Sequence, residues 1–180
     1  MSSKGNNIYK VKNAVEQLIS VDDYLLKNDL NERTICHRLA VYLEQLYPDY
    51  HVDIEYNRDH EPVKDFDKQE FINKLIKEYR LSNKYDKNDV KELVEKKIEE
   101  GSTRRVLPDI IVHRRGTDDN KVVLEIKKSN NLGDDGEKDK AKLKLYEQRL
   151  HNSEAYFVAL QGDDDFTENE VGNNYSIESV

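Results

Sequence analysis

Four apolar runs, VYLEQLY (41–47), LPDIIVH (107–113), VVLEI (122–126) and AYFVAL (155–160), interrupt a chain that is otherwise dominated by charge. Each run is long enough for one buried element. None approaches the ~18–20 apolar residues needed to span a bilayer. The chain is therefore expected to collapse around these runs as a compact soluble domain, although only 36% of its 180 residues are hydrophobic and 37% are charged. The N-terminus, MSSKGNNIYK, has no apolar signal core. A single cysteine, Cys36, excludes an internal disulfide and any multi-cysteine zinc site, which points to a reducing, cytoplasmic setting without a membrane partner.

The patterns around the runs predict their conformations. Residues 8–26 carry Ile8, Val11, Val15, Leu18 and Ile19 at helical spacing, and residues 30–46 do the same with Ile35, Leu39, Leu43 and Leu46. Asn31 is a suitable N-cap for the second helix, Glu32 suits its first turn, and Pro48 ends it. In HVDIEY (51–56) apolar and polar residues alternate, the mark of a half-buried strand. VLPDIIVH (106–113) and KVVLEIKK (121–128), joined by RRGTDDN, read as a hairpin whose strands are covered on both faces. A helix over 137–151 and a buried strand over 155–161 complete the set. Residues 62–100 form a helical insertion: Phe71, Leu75, Ile76 and Tyr79 mark one helix, Val90, Leu93, Val94 and Ile98 another. One domain over 1–160 is expected, followed by an acidic, frayed tail over 161–180.

The formal charge of −8 argues at first sight against a polyanionic partner, because phosphate binding needs excess Lys and Arg. The distribution weakens that objection. Residues 161–180 hold six acidic residues and no basic ones, whereas 101–130 hold seven basic residues against four acidic. Steering depends on the local field more than on the total.

The chemistry sits where the apolar strands break their own pattern. Glu125 and Lys127 share one face of their strand, and Asp109 starts the hairpin partner. Burying ionised groups costs several kcal/mol each, about as an order of magnitude, unless they are paired or bind metal. Two carboxylates and a lysine suit a hard divalent cation with oxygen ligands. A bland alternative stands beside each residue. Asp109 follows Pro108, a common turn position; Glu125 and Lys127 suit a solvated edge pair; Glu32 suits a helix dipole. His37 and His113 read as packed histidines, and Cys36 as a small buried residue on a helix. The pair Pro48–Asp49 has no Glu-x-Lys follower in range, whereas Pro108–Asp109 does, and in a strongly apolar β context.

LPDIIVHRRG…VVLEIKK, preceded by NERTICHRLAVYLEQLYPDYHVDIEYNR, resembles the PD-(D/E)XK nuclease superfamily, in particular its small bacterial members. The likeness covers about residues 30–60 and 104–160 and leaves out the insertion and the tail. It implies an α/β restriction-endonuclease-like core, a central mixed β-sheet of about four strands flanked by helices. It implies that Asp109 and Glu125 ligate Mg²⁺, with Mn²⁺ able to substitute, and that Lys127 serves the nucleophilic water. Glu32 matches a helix carboxylate that some members add to the metal site. A polar residue on the helix after the E-x-K strand is also common in the family, with Asp139, Lys142 and Gln148 as candidates here. The activity implied is hydrolysis of phosphodiester bonds in nucleic acid, DNA before RNA, leaving a 5′-phosphate and a 3′-hydroxyl. Arg33, Arg104, Arg105, Arg114 and Arg115 flank the motif and are candidates for gripping phosphates. No specificity module is recognisable, so a homodimer or a larger assembly in defence against foreign DNA or in repair is the expected context. Two other readings have their own tests. A non-catalytic acidic partner, such as a DNA mimic, would keep the fold and cut nothing. A nuclease silenced by its tail would gain rate on removal of 161–180.

Overall fold

Asn31 starts its helix as its type predicts: its side chain accepts the N–H of Arg33 at 2.8 Å. The computed structural model describes residues 4–28, 30–56, 108–128, 153–162 and 174–179, with Lys140, Leu143, Glu147, Leu150 and Gly172 as single positions. The helix that Asn31 caps, α3 (Glu32–Leu46), buries the expected stripe of Ile35, Leu39 and Leu43 and stops before Pro48. The preceding helix departs from expectation. Instead of one run over 8–26, α1 (Lys4–Val21) and α2 (Asp23–Lys27) are separated at Asp22. There the Asp22 carboxylate accepts bonds from Arg38 Nε at 2.9 Å and from the Tyr42 hydroxyl at 2.5 Å. A contact to α3 thus holds the residue at which the helix breaks, which periodicity could not reveal.

The strands are β1 (His51–Ile54), β2 (Ile110–His113), β3 (Asn120–Lys128), β4 (Glu154–Leu160) and β5 (Tyr175–Ser179), in sheet order β1-β2-β3-β4-β5. Every neighbouring pair is antiparallel except β3 with β4. The molecule is therefore an α/β protein with a five-stranded mixed sheet, one strand more than the sequence pattern suggests. The extra strand, β5, lies in the segment expected to be frayed. Its residues are only half-buried or exposed, so the backbone ladder to β4 holds it more than burial does. In the turn between β2 and β3, Gly116 takes a φ of 78°, which suits a residue without Cβ.

Side chains alternate across the sheet. Val52, Ile110, Val112, Leu124, Ile126 and Val158 face α1, α2 and α3 and form the principal core with Val11, Leu18, Leu26, Leu39 and Leu43. The opposite face carries Ile111, Val123, Glu125, Phe157 and Ala159, all buried. Lys140 lies on that side, 5.2 Å from the Phe157 ring centre and 2.7 Å from Glu178. Lys140, Leu143 and Glu147 are helical, as the pattern over 137–151 predicts, whereas Leu150 lies in a bend, so the helix does not reach the expected end at 151; the other residues of that range lie outside the described residues.

The described residues belong to one unit, Met1–Tyr56 with Pro108–Val180; Asn57–Leu107 make a second unit. The helical pair expected over 62–100 lies in that second unit, outside the described residues. No helix among the described residues is long and apolar enough to cross a membrane.

On the far face of β1 and β2, His113 is 2% exposed and its Nε2–H donates to Asp53 at 2.9 Å. Arg115 also grips Asp53 through Nε, at 2.7 Å, and through a second nitrogen. Burial acts to raise the Asp53 carboxyl, but bonds from Arg115 and then His113 outweigh it and leave it below the usual range. A depressed carboxylate stabilises the fold above its unfolded pKa of about 3.9 and ceases to do so as pH falls through the folded value. Asp53→Asn is therefore expected to lower stability at neutral pH and to flatten the acid limb of a urea-stability profile below about pH 4. An unchanged acid limb would show that the cluster adds nothing to folding.

Candidate active site

The register of the hairpin brings the motif residues together. Ile110 lies opposite Leu124, so one step further Asp109 lies opposite Glu125 and on the same face. Pro108 has no N–H to continue the ladder, and β2 begins only after Asp109. The Asp109 carboxylate takes over there, accepting the N–H of Ile126 through Oδ2 at 2.7 Å. This bond gives Asp109 a structural role and fixes its orientation beside Glu125, a carboxylate only 2% exposed.

Two residues further along β3, Lys127 reaches the start of α3. Its Nζ stands 3.5 Å from Glu32 Oε1, a contact between residues 95 apart in the chain. Both side chains are partly exposed. The expected quartet thus sits at one end of the sheet, with Asp109 and Glu125 aligned by strand register and Lys127 paired with Glu32.

Cys36, one turn along α3 from Glu32, registers the surrounding charge. Burial pushes its thiol well above the ordinary range, and Asp109, Glu32, Glu125 and Glu55, in that order of effect, push it further. It is a buried core residue.

Glu55 is the residue the sequence pattern missed. Ile54 lies opposite Ile110, and just beyond that pair the Glu55 N–H donates to the Asp109 carbonyl at 3.2 Å, which places Glu55 beside Asp109 at the end of the sheet. As a solvent-face residue in an alternating strand, Glu55 gives no signal alone; only the strand order would have revealed it. Its carboxylate holds Arg33 at 2.8 Å. Among the described residues, four carboxylates, Glu32, Glu55, Asp109 and Glu125, stand at this end of the sheet with the cations Arg33, Lys127 and Lys128. The small excess of carboxylates favours a cation. Among the described residues, no group of three or more His, Cys, Asp or Glu is arranged to hold an ion. What the sheet end offers is a pair of oxygen donors, Asp109 and Glu125. Mg²⁺ accepts such a set, since it commonly binds one or two carboxylates and keeps several waters.

The other candidates lie elsewhere. Arg114 and Arg115 do not flank this end as their place in the sequence suggested. They occupy the turn at the far end of β2, about 17 Å from Asp109 along an extended strand. There Arg114 lies 5.0 Å from the Tyr50 ring centre and 3.6 Å from Asp119, and Arg115 grips Asp53. His37 is exposed on α3, and His113 belongs to the Asp53 cluster. Arg104, Arg105, Asp139, Lys142 and Gln148 lie outside the described residues.

The chain matches no family model, no curated protein and no solved structure. The reading of the site rests on its own geometry and on the sequence motif.

Proposed function

We propose that the protein is a metal-dependent nuclease of the PD-(D/E)XK type, cutting phosphodiester bonds in DNA in preference to RNA. The observation that carries this reading is the Asp109 carboxylate bonded to the N–H of Ile126, the residue after Glu125 on β3, with Lys127 one residue further on and 3.5 Å from Glu32. Asp109 and Glu125 are the residues that would hold Mg²⁺ or Mn²⁺. Bound there, the ion would polarise the scissile phosphoryl group and lower the pKa of the attacking water.

The protein's own side chains do the rest. Asp109 cannot swing away without giving up its bond to Ile126 N–H, so one oxygen of the donor pair is pre-oriented. Glu125, enclosed by the sheet, keeps its carboxylate in a poorly hydrated setting where electrostatic effects are stronger than in water. Lys127 presents an ammonium at the same edge, suited to orient water for in-line attack and to offset negative charge developing on the phosphoryl oxygens. Glu32 holds Lys127 in reach of the pair rather than out in solvent.

The test is direct. Purified protein is incubated with plasmid, linear duplex, single-stranded DNA and RNA in Mg²⁺, Mn²⁺ or EDTA. Cleavage of DNA in either metal and none in EDTA is expected, together with a rise in melting temperature on adding Mn²⁺. An ion at a hundred times its Kd adds about 2.7 kcal/mol to stability. No cleavage of any substrate and no stabilisation by Mn²⁺ would overturn the reading in favour of an acidic interaction protein on the same fold.

A further inference from the structure

Glu55 is the only residue other than glycine with a positive φ, 47°, among the described residues. A left-handed backbone at a residue with a Cβ is unfavourable, and such residues concentrate at functional sites. In this conformation the chain turns out of β1, and Tyr56 comes to lie against His113 with ring centres 4.3 Å apart. Glu55 meanwhile stays tied to the site by its N–H bond to the Asp109 carbonyl, at 3.2 Å. From that fixed position its carboxylate Oε2 accepts a 2.8 Å bond from Arg33.

Stability does not account for this pair. The Arg33 side chain is 73% exposed and that of Glu55 45%, and ion pairs so exposed contribute little to folding. The pair instead restricts a long, flexible guanidinium to the sheet end where Asp109 and Glu125 stand. The backbone N–H of Arg33 is bound separately, to the Asn31 side chain at 2.8 Å, which fixes the residue in the first turn of α3. An arginine whose guanidinium is held by a carboxylate and is still largely exposed offers its remaining N–H donors, in a planar fork, to an outside ligand. That geometry matches phosphate oxygens. Arg114 and Arg115 are tied to Asp119 and Asp53 at the opposite end of β2 and cannot serve here.

We infer that Arg33 binds a nucleic-acid phosphate next to the one being cut and that Glu55 is the positioning residue that holds it there. This inference rests on the nuclease reading above. Glu55 lies two strands from Glu125, about 10 Å away across the sheet. A phosphate at Arg33 is accordingly a neighbour of the scissile group and not the scissile group itself. Glu55 is assigned to the arginine and not to the metal, since Arg33 occupies its carboxylate.

The experiment measures binding of a fluorescein-labelled DNA duplex by anisotropy in Ca²⁺, and cleavage of the same duplex in Mg²⁺, for the wild type, Arg33→Ala, Arg33→Lys and Glu55→Gln. Arg33→Ala is expected to weaken binding about tenfold and to lower the salt slope of log Kd by about one phosphate contact. Arg33→Lys should keep the slope but recover only part of the affinity. Glu55→Gln should raise KM severalfold while kcat stays within about twofold, a split that a merely structural role would not give. A duplex carrying one methylphosphonate beside the scissile phosphate should cancel the difference between wild type and Arg33→Ala. A wild type that binds and cuts while Arg33→Ala shows the same Kd, slope and KM overturns this inference and leaves the nuclease reading intact. A wild type that neither binds nor cuts any nucleic acid overturns both.

Discussion

Lys127→Ala is expected to lower metal-dependent cleavage by about two to three orders of magnitude, the range measured when one preorganised donor to a developing charge is removed. The fold should survive, because Lys127 and Glu32 are partly exposed and such pairs contribute only about 0–1 kcal/mol. Glu125→Gln separates the roles further. It preserves the shape of a side chain that is 2% exposed but removes its charge. Cleavage should fall at least as far as in Lys127→Ala, and the rise in melting temperature on adding Mn²⁺ should vanish. In EDTA this variant should melt no lower than the wild type, since a buried charge has been replaced by a neutral amide. Lys127→Ala, in contrast, should retain the Mn²⁺ response. Initial rates on plasmid and thermal melts with and without Mn²⁺ check all of this. Wild-type rates in both variants would remove the site from the mechanism.

The largest effect on stability is expected from Phe157→Ala. Phe157 is 1% exposed, lies opposite Glu125 in the parallel β3–β4 register, and supports the face that carries the carboxylates. Truncating a buried phenylalanine typically costs about 3–5 kcal/mol, through lost transfer energy and the cavity left behind. In a domain of this size that corresponds to a fall in melting temperature of about 10 °C or more. Urea unfolding gives the free energy directly. A loss below about 1 kcal/mol would mean that the far face of the sheet collapses around the cavity far more freely than its burial suggests. Because Phe157 is the register neighbour of Glu125 on the same face of the sheet, cleavage by this variant should weaken even below its unfolding temperature.

The parts of the fold that were legible in the sequence are those whose cause is local. Asn31, the Ile35–Leu39–Leu43 stripe and Pro48 define α3 within one stretch of chain, and the apolar runs around Gly116 define the β2–β3 hairpin. Register then follows, and with it the approach of Asp109 to Glu125. The break at Asp22 was hidden because Arg38 and Tyr42 hold that residue from another helix. β5 was hidden because Tyr175–Ser179 reads as polar and gains its order from hydrogen bonds to a distant strand. Arg114 and Arg115 were misplaced for a related reason. Nearness to the motif in sequence became distance in space once β2 extended between them. Glu55 could be found only after the strand order was known.

The bond from Glu55 N–H to the Asp109 carbonyl also marks the gateway of residues 57–107, because the chain leaves the sheet just after one partner and returns just before the other. That bond belongs to the strands and not to the segment, which is a unit of its own whose length can vary without altering the ladder between β1 and β2. The two partners of the bond have no such latitude, since a shift of either is transmitted at once to the carboxylate of Asp109.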